Sequence, residues 1–190
     1  MLTDRFTAAL ALAAELHRTQ TRKGTTVPYL AHLLAVAALV LEQGGAEDTA
    51  IAALLHDAVE DQGGAATRAR IAAAFGEPVA AIVDGCTDTD RVPKPPWRAR
   101  KEAYLAHLPG ASPEVLLVAA ADKLYNARTV LADYRAHGEA VWARFNGGRA
   151  GTLWYYRAVT AALRAAGAPP ALVAELARTV GELERLAGAE

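Results

Sequence analysis

The chain has 190 residues, 53% of them hydrophobic, so it can bury one core of ordinary size as a single domain without disulfides or a second chain. Twenty Lys+Arg against 21 Asp+Glu leave a net charge of -1, which gives no global pull toward nucleic acid or an anionic membrane. The lone cysteine, Cys86, excludes an internal disulfide and a Cys-rich zinc site, suits a reducing cytosol, and is expected to be core packing.

The start, Met1-Leu2-Thr3-Asp4-Arg5, has neither a basic region ahead of an apolar run nor a small-residue cleavage site, and no stretch reaches about 18 uninterrupted apolar residues. A soluble cytoplasmic protein is expected. Abundant alanine and sparse β-branched and aromatic residues tilt the whole chain to an all-α, multi-helix fold. Apolar periodicity predicts helices over residues 7–20, 28–42 and 46–60, with Gly44-Gly45 and Gly63-Gly64 closing two of them. Shorter helices are expected over 68–75 and 78–84, split at Gly76, with Pro78 near a helix start. Residues 88–97 read as a surface loop, because Pro93, Pro95 and Pro96 forbid regular structure and Arg91 and Lys94 stand exposed. Ser112 as N-cap and Pro113 as first helical residue open a long helix to about Tyr134. Helices over 138–145, 152–166 and 171–186 complete the chain, the last with Leu172, Leu176, Val180, Leu183 and Leu186 as a stripe suited to core packing.

The segment Leu54-Leu55-His56-Asp57-Ala58-Val59-Glu60-Asp61 sets four potential ligands or proton carriers among apolar residues. In a continuous helix, His56, Asp57, Glu60 and Asp61 span an arc of roughly 140°. A solvated acidic face accounts for such an arc if the segment stands alone. Two other apolar helices, however, each carry an isolated polar residue, His32 and Asp122. A buried carboxylate such as Asp122 must be paired, hydrogen-bonded or metal-bound. Together, two imidazoles and two carboxylates make a mixed nitrogen and oxygen site for a divalent cation such as manganese, iron, zinc or magnesium.

These residues resemble the HD-domain metal phosphohydrolases. In chain order, Arg22-Lys23-Gly24, Pro28-Tyr29, His32, Leu54-Leu55-His56-Asp57 with Glu60-Asp61, Phe75-Gly76, Val83-Asp84-Gly85 with Thr87, and Asp122 with Leu124, Asn126 and Arg128-Thr129 resemble the hydrolase domain of the Rel/Spo alarmone enzymes. The resemblance covers about residues 5–160 of a domain spanning 1–190, leaves no room for a synthetase domain, and so looks like a small stand-alone alarmone hydrolase. It implies hydrolysis of the 3′-pyrophosphate of guanosine tetra- or pentaphosphate at a metal, usually manganese, held by His32, His56, Asp57 and Asp122. Glu60 and Asp61 match the acidic pair that orients or deprotonates the attacking water. Arg22, Lys23, Asn126, Thr152 and Tyr156 match nucleotide contacts, and Lys123 and Arg128 are further cations for the diphosphate. The expected partner is a small nucleotide, not nucleic acid or a membrane; nothing in the sequence sets the oligomeric state.

Several positions depart from the family: Leu33 for a proline, Gln62 after the acidic pair, Asp88 where a lysine is common, and Lys123, Tyr125 and Ala127 around Asn126. They bear on the substrate and leave the four ligands untouched. Open alternatives are a 3′-phosphatase acting on a dinucleotide phosphate (NADPH), an adenine alarmone hydrolase, a nucleoside 5′-monophosphatase, and a catalytically silent nucleotide sensor. The silent sensor would lack a ligand or the acidic pair, and all six residues are present.

Overall fold

The computed structural model describes residues 1–89 and 93–188, and among these it is helical throughout, with one isolated bridge between Thr21 and Pro28. Helix α1 (Asp4–Leu16) starts at Thr3, whose hydroxyl accepts from the Arg5 N–H at 3.3 Å. A turn leads to α2 (Leu30–Glu42), and α3 (Glu47–Leu55) follows with Glu47 and Asp48 at the positive end of its dipole. The short α4 (Ala58–Asp61), α5 (Gly64–Phe75), α6 (Glu77–Cys86) and α7 (Trp97–His107) come next. The long α8 (Pro113–His137) has the expected Ser112 cap, which accepts from Val115 N at 3.3 Å; α9 (Gly148–Ala165) and α10 (Pro170–Leu186) close the chain.

Helix α3 lies at the centre. All its residues from Thr49 to Leu55 are buried, and it packs against α1, α2, α6 and α8. Helix α8 is the second spine, contacting α2 and α6 on one side and α9 and α10 on the other. Leu172, Leu176, Val180 and Leu183 of α10 fill that second layer, while Leu186, expected in the same stripe, is 37% exposed at the helix end. Among the described residues no helix is long and apolar enough to cross a membrane.

Four expectations need correction. The helix over 46–60 is two helices broken at His56-Asp57, where His56 Nδ1 takes the Ala53 carbonyl at 2.8 Å that a continuous helix would offer to the Asp57 N–H. Gly64 opens α5 rather than closing the helix before it. Residues Gly138–Arg144 form a 3₁₀ turn, not an α-helix. Helix α7 was not expected, since Arg98, Arg100, Lys101 and Glu102 dilute the apolar stripe of Trp97, Tyr104 and Leu108 that seats it. Arg91 lies outside the described residues; Lys94 is exposed as expected but ion-paired to Glu60.

Two glycines report how tightly these layers meet. A Cβ at Gly85 in α6 would lie 2.6 Å from Val115 Cγ2 of α8, whereas one at Gly181 in α10 meets nothing within 4 Å. Gly85→Ala is therefore expected to destabilise by about 1–3 kcal/mol through overpacking, and Gly181→Ala to stabilise by about 0.5–1 kcal/mol through helix propensity. Denaturant melts of both variants check these opposite signs; a stabilising Gly85→Ala would contradict the close approach of α6 to α8.

Candidate active site

The break after α3 turns His56 and Asp57 toward the residues that α2 and α8 present. His32 of α2, His56 and Asp57 bring donor atoms within 4.8 Å of one another. His32 Nε2 lies 3.2 Å from His56 Nε2, 3.4 Å from Asp57 Oδ2 and 3.2 Å from Asp122 Oδ1; His56 Nε2 is 3.1 Å from Asp57 Oδ2 and 3.7 Å from Asp122 Oδ1. Both histidines and Asp122 are buried. Two imidazole nitrogens and two carboxylate oxygens facing one point are all lone-pair donors, a set that suits one divalent cation. The hydrogen bonding agrees: His56 Nδ1 donates to Ala53 O, so Nε2 is the nitrogen that faces inward, and it offers a lone pair once its proton is displaced.

Each of the two carboxylates also accepts hydrogen bonds from side chains beside it. Tyr29 Oη donates to Asp57 Oδ2 at 2.5 Å. Lys123 Nζ and Asn126 Nδ2 each donate to an Asp122 oxygen at 2.5 Å, and Asn126 Oδ1 in turn accepts from Arg22 at 2.7 Å. Burial works to raise the pKa of Asp57 and Asp122, yet His56 beside Asp57 and Lys123 beside Asp122 hold both carboxyls well below the usual range. Burial likewise opposes charge on His56, but Asp57 and Asp122 carry its pKa well above the ordinary imidazole value.

One cavity opens on this point, and a second adjoins it through four shared lining residues. The smaller, about 200 Å³, is walled almost wholly by polar atoms, including Asp57, Glu60, Asp61 and Asp122. Its neighbour, about 290 Å³, is lined by Arg22, Trp97, Phe145, Thr152 and Tyr156; Tyr29, Lys101, Asn126 and Tyr155 belong to both. Two larger clefts elsewhere contain none of the four converging residues.

Of the residues singled out from sequence, the structure brings together His32, His56, Asp57, Asp122, Glu60, Asp61, Arg22, Asn126, Lys123, Thr152 and Tyr156 around these cavities. Lys23 lines the outer cavity and donates to Asn146 at 3.1 Å. Arg128 lines neither; it is exposed and ion-paired to Glu175 of α10. Cys86, expected to be packing, is half-buried and borders the acidic cavity, with its thiol pKa pushed up by burial.

Sequence reasoning missed Tyr29 as a support for Asp57, and Arg100 and Lys101 altogether. The last two sit on the unexpected α7 and both donate to Asp88, at 2.8 and 2.6 Å, so the charge change at that position is compensated locally. The spacing Trp97, Tyr104, Leu108 was the signal that would have placed them.

Comparison with known proteins follows the same outline. The sequence matches the HD domain family over residues 9–153. The guanosine-3′,5′-bis(diphosphate) 3′-pyrophosphohydrolase MESH1 of Xenopus tropicalis is 43% identical over 123 residues, covering 63% of this chain and 66% of that protein. The human protein of the same name is 38% identical with the same coverage. The match thus spans just under two thirds of the length of these relatives. A guanosine-3′,5′-bis(diphosphate) 3′-pyrophosphohydrolase of Aquifex aeolicus is 37% identical over 122 residues, which is 64% of this chain and 17% of that protein. Among solved structures, one described as a metazoan ortholog of SpoT that hydrolyzes ppGpp superposes with a TM-score of 0.78 at 25% identity, covering 100% of this chain and 99% of that one.

The electrostatics predict a pH signature for the protein in excess chelator. The raised folded pKa of His56 means that its proton contributes stability fully below the ordinary value of 6.5, and that this contribution is lost as pH rises through the folded value. The melting temperature should therefore fall as pH rises above 6.5, and His56→Gln should flatten that slope. An unchanged slope in the variant would contradict a proton held at His56.

Proposed function

The chain belongs to the HD domain family, and from that premise we propose that it is a metal-dependent phosphohydrolase that removes the 3′-pyrophosphate of guanosine tetra- or pentaphosphate alarmones. The observation that carries this reading is the convergence of buried His32, His56 and Asp122 with half-buried Asp57; the two aspartates line a polar cavity that adjoins one rimmed by cations and aromatic rings. The relatives named for this activity, the MESH1 proteins and the Aquifex enzyme, support the choice of substrate.

His32, His56, Asp57 and Asp122 hold the metal in this reading, and manganese is the proposed resident ion. A bound divalent cation supplies Lewis-acid polarisation of a phosphoryl oxygen and acidifies a water. The chain's own residues do the rest. Tyr29, Lys123 and Asn126 fix the carboxylates so that the donor set needs little rearrangement. Glu60 and Asp61 border the same polar cavity; one of the pair takes the proton of the attacking water, whose oxygen bonds to phosphorus as the bond from phosphorus to the ribose 3′-oxygen breaks, and the proton ends on that departing oxygen as the 3′-hydroxyl. Lys101, lining both cavities, supplies positive charge where the diphosphate would lie. Arg22, whose guanidinium lies 5.7 and 5.8 Å from the Tyr29 and Tyr125 rings, offers a flat cationic surface to the base.

Ligand and proton-carrier roles separate experimentally. Asp57→Ala should lose bound metal and turnover together, whereas Glu60→Ala should keep its metal and lose about 10²–10⁴-fold in kcat. Elemental analysis beside steady-state kinetics on guanosine tetraphosphate makes the comparison. An Asp57→Ala protein with full metal content and activity would remove the metal assignment.

A further inference from the structure

We propose that Gln20 is a positioning residue for the water-activating pair, holding Asp61 at the end of a hydrogen-bond chain that begins at the buried His17; the proposal rests on the reading of Asp61 as a proton acceptor. His17 caps α1, is 2% exposed and stacks on Tyr29 with ring centroids 5.3 Å apart and planes 21° from parallel. Its Nδ1 lies 2.6 Å from Gln20 Oε1. Gln62 Nε2 donates to the same oxygen at 2.7 Å, and Gln20 Nε2 donates to Asp61 Oδ2 at 2.9 Å.

The Asp61 carboxylate fixes the orientation of the Gln20 amide. An ionised carboxylate only accepts, so the NH₂ group faces Asp61 and the amide oxygen turns to His17 and Gln62, which sets His17 Nδ1 as the N–H of its ring. A flipped amide would set oxygen against the Asp61 carboxylate. The backbone is equally fixed: Gln20 N donates to His17 O at 3.1 Å, and Gln20 O accepts from Tyr29 N at 2.9 Å. Gln62, a departure from the family pattern at the residue after the acidic pair, is thus one of the two groups that meet the amide oxygen.

The neighbouring carboxylate is held differently, which gives the contact its purpose. Glu60 faces Lys94 at 2.8 Å and Arg100 at 3.7 Å, so cations offset its charge. Asp61 has Lys94 only at 3.5 Å, and its close partner is a neutral amide. A neutral donor orients Asp61 without cancelling the charge that a proton acceptor needs. Asp61 is also the last residue of the one-turn α4, where backbone alone restrains it weakly.

The test is steady-state kinetics on guanosine tetraphosphate with manganese for Gln20→Leu, Asp61→Asn and the double variant. Gln20→Leu should lower kcat about tenfold while KM stays within about twofold. Metal content and melting temperature should stay near wild type, and Gln20→Leu should cost nothing further in the Asp61→Asn background. Gln20→Asn retains an amide but is one methylene too short to reach its partners, and should show the same split. His17→Phe keeps the ring stack, removes one of the two contacts to the Gln20 oxygen and should give a smaller fall in kcat. If Asp61→Asn is crippled while both Gln20 variants keep wild-type kcat, the positioning role is wrong and the acidic-pair reading stands. Full activity in Asp61→Asn would overturn both, and a change confined to KM or an additive double variant would overturn the positioning role.

Discussion

Two carboxylates and two imidazoles meeting inside an alanine-rich helical core is the constraint that the rest of this molecule serves. Asp122 and both histidines are almost fully withdrawn from water, and Asp57 opens only onto a small polar cavity. Charge in such surroundings persists only when each group is paired and hydrogen-bonded; removing one partner of a buried pair costs about 3–5 kcal/mol. The protein answers with partners from every side: Tyr29 on Asp57, Lys123 and Asn126 on Asp122, and the Ala53 carbonyl on His56. A helical scaffold supplies the convergence only because α3 stops at Leu55, so that His56 and Asp57 leave the helix axis and meet residues of α2 and α8. The same break starts α4, which carries Glu60 and Asp61 to the adjoining wall.

The segment between α1 and α2 acts as a strut for both halves of the site. Its short bridged turn, with Arg22 N donating to Val27 O at 2.8 Å, sets Tyr29 against Asp57 and Gln20 against Asp61. Arg22 projects from it to Asn126, so the turn also touches one of the two residues that support Asp122. One local structure thereby touches the converging histidine and aspartate side chains, Asp61 of α4 and the mouth of the aromatic cavity. Residues far apart in sequence, 57, 61 and 126, are thus each hydrogen-bonded from this one segment, by Tyr29, Gln20 and Arg22.

Much of this was legible in the sequence, for physical reasons. His32 and Asp122 each interrupt an apolar helical run, a placement that a core tolerates only with partners, and both lie at the centre of the site. The Ser112-Pro113 start of α8 and the apolar face of α10 were equally visible, since capping and periodicity are local. The break at His56-Asp57 was not, because it depends on a side chain capturing a backbone carbonyl. Helix α7 was hidden by charges whose partners, Asp88 and Glu60, lie elsewhere in the chain. Arg128 looked like a substrate cation in the motif, but its direction is set by Glu175 on a helix some 47 residues away, which no local pattern encodes.

Incubating the purified protein with manganese and guanosine tetraphosphate, then resolving the products by chromatography, tests the central claim most directly. The account predicts pyrophosphate and guanosine 5′-diphosphate in equal amounts, with both lost on chelation and restored by added metal. Intact substrate beside demonstrably metal-loaded protein, or release of single phosphates instead of pyrophosphate, would contradict it.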